Sequence, residues 1–149
     1  MMARITQRHL SASVELVTST NQRATWFPRC AAWIGGATGP TPGARFKGTN
    51  KRGILRWSTE PEVVTADRGR EFAFIMHGKG PSTKWRYRFE PVSDGGTDLV
   101  ESFEMAGDLP AMLVLADRYL MGIDDRKADL EDGMRRTLER IRAVAEGST

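Results

Sequence analysis

Among side chains able to do chemistry, Glu101 stands out because of where alternation puts it. It lies in Thr97–Met105, between Leu99 and Phe103. That segment reads as a strand, and a strand turns successive side chains to opposite faces. The parity that sends Leu99, Phe103 and Met105 inward therefore sends Glu101 inward too. A carboxylate against an apolar layer is expensive unless it is paired, hydrogen-bonded or protonated. Tyr87, inward by parity on the preceding strand with Trp85 and Phe89, is one available partner. A neighbouring hydroxyl or a helix arginine is another. Three readings stay open: a satisfied buried acid, a polar anchor or general acid/base of raised pKa lining a cavity, or a bulge that turns the carboxylate outward.

Other chemical motifs are scarce. His9 and His77 lie far apart, with no carboxylate at ligand spacing, so no zinc site is expected. Gly35-Gly36-Ala37-Thr38-Gly39 lacks the lysine and the following helix of a phosphate-binding loop. Cys30 has no identifiable base beside it and reads as structural; as the single cysteine it excludes an intrachain disulfide. No metal or cofactor is expected.

The elements that position Glu101 follow from the rest of the chain. Asp124–Glu146 carries Leu130, Met134, Leu138, Ile141 and Ala145 on one face and mostly arginine and glutamate on the other. That is an amphipathic helix of about twenty residues, so about 30 Å long. One apolar stripe of that length needs a broad apolar surface beneath it. Strands are expected at Arg4–Leu10, Ala31–Ile34, Ala44–Asn50, Ile54–Ala66 with a kink at Pro61, Arg70–His77, Thr83–Val92 and Thr97–Met105. Asp94-Gly95-Gly96 is the strongest hairpin signal. Short helical turns are expected at Val14–Val17, with Ser13 as cap, and at Asn21–Ala24; Ala111–Met121 reads as a helix. Strands followed by helices define an antiparallel α+β domain. One domain is expected over residues 1–149, with the N-terminal strand and short helices in 1–30, the sheet in 31–107 and helices in 110–146.

Parity also chooses the inward set: Phe46, Gly48, Asn50, Leu55, Trp57 and Thr59, then Phe72, Phe74 and Met76. A bent sheet around one helix tends to leave volume that its side chains do not fill, and such volume suits apolar ligands. Met76, Met105, Met112, Met121 and Met134 suit a deformable lining, and equally suit plain core. The net charge of +3 is spread along the chain, its local clusters being Lys47 with Lys51 and Arg52, and the arginines of the last helix. Nucleic acid is not an expected partner. No apolar run reaches membrane-spanning length and the N-terminus does not read as a secretory signal, so the cytoplasm is the expected location.

Gly43-Ala-Arg-Phe46, Gly48-Thr-Asn-Lys-Arg-Gly53 and Arg56-Trp-Ser-Thr59 resemble strands of START-like proteins of the SRPBCC superfamily, within it the bacterial polyketide cyclase/dehydrase family. Gly69-Arg-Glu-Phe-Ala-Phe74, Lys84-Trp-Arg-Tyr-Arg-Phe-Glu-Pro91, Gly95-Gly-Thr-Asp-Leu-Val-Glu-Ser102 and Gly133-Met-Arg-Arg-Thr-Leu138 continue the series over roughly residues 12 to 146. The resemblance implies a helix-grip fold: a curved antiparallel sheet around a long C-terminal helix, with a hydrophobic cavity between them. It implies a small apolar partner such as a lipid, sterol or polyketide. Carried over by position, Trp57, Phe74, Met76, Tyr87, Glu101, Phe103, Met134 and Leu138 would line the cavity, with Met112 and Leu115 guarding an entrance. In a cyclase, aromatase or dehydratase, Glu101 and Tyr87 would exchange protons with the substrate; a member of a toxin–antitoxin pair is a further alternative. One departure concerns Ser13-Val-Glu-Leu-Val-Thr-Ser19, shorter than the corresponding helix of relatives, with Ser19 where an aspartate is usual. The first edge strand is then supplied by this chain or by a partner subunit in a homodimer.

Overall fold

The computed structural model describes residues 1–10, 30–52, 54–78 and 80–145. The expectations for Val14–Val17 and Asn21–Ala24 fall outside them. Eight strands make one antiparallel sheet: β1 (Met2–Leu10), β2 (Cys30–Ile34), β3 (Arg45–Arg52), β4 (Leu55–Thr59), β5 (Glu62–Asp67), β6 (Glu71–Met76), β7 (Thr83–Pro91) and β8 (Thr97–Met105). Two helices follow, α1 (Ala111–Met121) and α2 (Arg126–Ala145). The spatial order β1-β8-β7-β6-β5-β3-β2 brings the first strand beside the last, with β4 pairing β3. The sheet curves around the terminal helix, which is the helix-grip arrangement. β1 pairs β8 from Met2↔Glu104 to Leu10↔Thr97, so the chain supplies its own first edge.

Turn chemistry sets the register that matters for the site. Between β7 and β8, Gly95 adopts φ +87°, a conformation glycine takes at little cost, and Gly96 N–H donates to Asp94 Oδ1 at 3.0 Å. Val92 N–H donates to Gly96 O at 3.0 Å and closes the hairpin. Pro91 then faces Thr97, Phe89 faces Leu99, Tyr87 faces Glu101 and Trp85 faces Phe103. At the other end, the segment read as one strand from Ile54 to Ala66 is divided by Pro61 into β4 and β5. Both border β3: Phe46 N–H donates to Pro61 O at 3.2 Å, and Val63 N–H to Ala44 O at 2.8 Å.

Most of the buried residues lie on the inward parity; Ala73 and Val100, 0% and 3% exposed, are buried on the other. Phe46, Val63, Phe72, Phe74, Tyr87, Phe89 and Leu99 form one cluster with Leu138 and Ile141 of α2. Phe103 and Met134 form a second, with Trp85, Met105 and Leu130 packed around them. Rings touch in a line across the sheet: Trp33–Phe46 at 5.6 Å, Phe46–Phe74 at 5.3 Å, Phe74–Trp85 at 6.4 Å and Trp85–Phe103 at 4.8 Å between centroids. Edge-on and offset contacts of this kind are the favourable ones for aromatic quadrupoles. On the outer face of β7, Arg86 and Arg88 pair with Glu71 and Glu90 at 3.3 and 3.1 Å. Pairs this exposed contribute little to stability.

β4 departs from expectation. Leu55 and Trp57 are each 39% exposed and Ile54 is 97% exposed. Past Gly48, β3 and β4 form a ribbon with no third strand among the described residues, so parity there selects a face that no described strand extends.

The start of α2 is fixed by Asp125, whose Oδ1 accepts the N–H groups of Lys127 and Ala128, both at 3.0 Å. This is an N-cap, satisfying donors that the helix leaves free. Asp125→Ala is expected to cost about 1 kcal/mol, seen as a thermal midpoint lower by about 2–4 °C in calorimetry.

Candidate functional site

Glu101 is 1% exposed, at the centre of β8 between Leu99 of the first apolar cluster and Phe103 of the second. The outward-bulge reading is thereby excluded: β8 keeps its register through Tyr87↔Glu101 without a break. Directly across the ladder, Tyr87 is 2% exposed and its hydroxyl donates to Glu101 Oε1 at 2.7 Å. Opposed residues on neighbouring strands are close enough for this bond, and both have the inward parity that their strands impose. Glu101 Oε2 has no hydrogen-bond partner among the described residues.

Two effects compete at the carboxyl. Burial pushes its pKa from 4.5 up to about 8, because low-polarity surroundings disfavour the charge, while the Tyr87 hydrogen bond pulls it down. Burial wins, and the acid is largely neutral at pH 7. With Oε1 accepting from Tyr87, Oε2 is the oxygen left to carry the proton. A neutral acid held this way can donate to an acceptor, and it can exchange a proton near neutral pH.

Tyr87→Phe removes the group that favours the ionised form and leaves both oxygens of Glu101 without partners among the described residues. The titration of Glu101 is expected to move further up, followed by carboxyl carbon NMR, and the fold to lose about 1–2 kcal/mol.

Of the other residues named from sequence, Phe74, Phe103, Met134 and Leu138 are buried at 6%, 5%, 1% and 1% exposure, and Met76 packs against the first cluster. They share the interior with Glu101 and Tyr87. Trp57 lies in neither cluster. Met112 and Leu115 are 78% and 56% exposed on α1. That helix also leans on the β6–β7 turn through Leu113, with Leu109 of the preceding loop beside it. Gly80 permits this approach, since a Cβ there would lie 3.2 Å from Leu113 Cδ1.

His77 is exposed and shares a hydrogen bond with Ser82 Oγ at 3.1 Å, away from the inward face. Among the described residues no three His, Cys, Asp or Glu side chains gather in a way that could hold a metal ion. No described helix is long and apolar enough to cross a membrane.

Sequence reasoning missed two polar atoms on the same wall. Thr83 Oγ1 and Trp85 Nε1 are shielded from solvent and have no hydrogen-bond partner among the described residues. Their inward parity was readable, but their lack of partners was not.

A neutral acid inside a cupped, largely aromatic sheet belongs to a recognisable class of protein, the helix-grip domains. The chain belongs to the polyketide cyclase/dehydrase and lipid transport family, which it matches over residues 6–146. Among solved structures it is similar to a polyketide-cyclase-like protein of Corynebacterium glutamicum, at 25% identity with 97% of this chain and 91% of that one covered and a TM-score of 0.62. It is similar in fold to the Aha1 dimer of Colwellia psychrerythraea, at 11% identity, coverage of 100% and 98%, and a TM-score of 0.68. DynU16, a protein of the dynemicin biosynthetic locus, gives 16% identity, coverage of 97% of this chain and 47% of its own, and a TM-score of 0.68. No curated protein matches the chain in sequence.

Proposed function

We propose that this protein binds a small, largely apolar molecule between its sheet and α2, with Glu101 as the polar anchor. One observation carries the reading: a neutral, buried acid holds one oxygen on Tyr87 and keeps the other without a partner among the described residues. A group left so costs stability unless something engages it. The family's inclusion of lipid transport and the aromatic lining around Phe74, Trp85 and Phe103 support an apolar ligand. Phe74, Met76, Phe103, Met134 and Leu138 supply its contacts, with Met112 and Leu115 at the way in. The cytoplasm is the proposed location.

The test is titration with N-phenyl-1-naphthylamine, an uncharged apolar fluorophore. The reading expects saturable one-to-one binding with blue-shifted emission. Emission that rises linearly, without saturation, counts against it.

The same pair favours a second reading, in which Glu101 and Tyr87 pass a proton to and from a bound enol or carbonyl. A pKa near 8 suits that work at neutral pH. Glu101→Gln would then keep affinity and lose turnover, whereas in a binder it alters affinity alone.

A further inference from the structure

Glu101 Oε2 belongs to a row. Along β7, Thr83, Trp85 and Tyr87 follow at two-residue steps on the inward face, opposite Met105, Phe103 and Glu101. Steps of that length are about 7 Å apart, so the row runs about 14 Å along the wall. Three of its atoms, Thr83 Oγ1, Trp85 Nε1 and Glu101 Oε2, are closed to solvent with no hydrogen-bond partner among the described residues. A fourth such atom, Arg86 Nε, lies on the opposite parity and faces the Glu71 carboxylate at 3.3 Å. The inward face therefore concentrates the buried polar atoms that no described residue engages.

Their chemistry is of one kind. An indole N–H only donates, a threonine hydroxyl can donate, and a neutral carboxylic acid donates from the oxygen that Tyr87 leaves free. Between them lie flat rings: Trp85 stacks on Phe74 with 16° between planes and meets Phe103 edge-on at 4.8 Å.

We propose that Thr83, Trp85 and Glu101 form a row of hydrogen-bond donors that selects, for the site described above, an uncharged flat molecule carrying acceptor oxygens along one edge. A single-headed alkyl chain meets at most one member of the row, and a pure hydrocarbon leaves all three unengaged. Thr83 and Trp85 are then specificity-determining residues.

This rests on the ligand-binding reading, and the experiment separates the two. Flavone and 2-phenylnaphthalene share a ring outline, and only flavone carries oxygen. Each is used to displace N-phenyl-1-naphthylamine from the full chain at pH 6.5. Flavone is expected to bind at least about tenfold more tightly than the hydrocarbon. Thr83→Val and Trp85→Phe are each expected to weaken flavone about three- to tenfold and the hydrocarbon less than about twofold. Thr83→Val should at the same time raise the melting temperature of the ligand-free protein, because it removes an unengaged polar atom. Equal affinity for both probes, unchanged by either variant, overturns the donor row and leaves the apolar site standing. Failure of the fluorophore itself to bind overturns both.

Discussion

Glu101→Gln is expected to abolish most of the loss of stability that the wild-type protein shows between pH 5 and pH 8. The acid has a pKa of 4.5 when unperturbed and about 8 when folded, because burial disfavours its charge. Between those values the native state holds a proton that the unfolded chain has released. Stability then falls as pH rises through that window. Below 4.5 both states are protonated and the group contributes nothing; above 8 the full penalty of a buried charge is present. A difference of this size corresponds to roughly 4–5 kcal/mol across the window. Glutamine keeps an oxygen to accept from Tyr87 and carries no titration. The two proteins should thus be of similar stability at pH 4.5–5, with the variant well ahead at pH 8. Urea denaturation at pH 5, 6.5 and 8 measures this directly. Parallel pH profiles for the two proteins would show that Glu101 is ionised in the folded state, contrary to the account.

Leu138→Ala is expected to cost about 2–5 kcal/mol, lowering the thermal midpoint by roughly 5–15 °C. Leu138 is 1% exposed and belongs to the cluster that ties α2 to Phe46, Phe72 and Phe74. Truncation loses the transfer energy of the removed carbons and opens a void where the helix meets the sheet. Arg140, exposed on the same helix, gives the comparison: Arg140→Ala should change stability by less than about 0.5 kcal/mol. Denaturant midpoints of the two variants decide it, and equal losses would mean that the stripe on α2 is not what holds the helix down.

These expectations rest on features of unequal legibility. The inward setting of Glu101 and its partnership with Tyr87 follow from the period of two, because Asp94-Gly95-Gly96 closes a hairpin whose register leaves no freedom between them. The helix was readable from Met134, Leu138 and Ile141, and its beginning is sharpened by Asp125, a residue of cap type at the edge of the periodic stretch. Trp57 shows where periodicity stops helping. Alternation says which residues share a face but not whether anything lies over that face, and on the β3–β4 ribbon Leu55 and Trp57 remain 39% exposed. Pro61 signalled a kink, and the kink is where one expected strand becomes two.

Met112 and Leu115 were placed by resemblance. The packing of α1 depends on Leu109, Leu113 and the close approach at Gly80, a tertiary contact with no local signal. The unengaged atoms of Thr83 and Trp85 were hidden for a similar reason: a sequence shows donors, and only a structure shows which of them go without acceptors.

Native mass spectrometry of the full chain, purified without detergent and then incubated with flavone, puts the central claim to its most direct test. The account predicts a one-to-one complex, either with flavone or with a small molecule retained from the cell and released on acid denaturation. Detection of the bare chain alone, both before and after incubation, would contradict it.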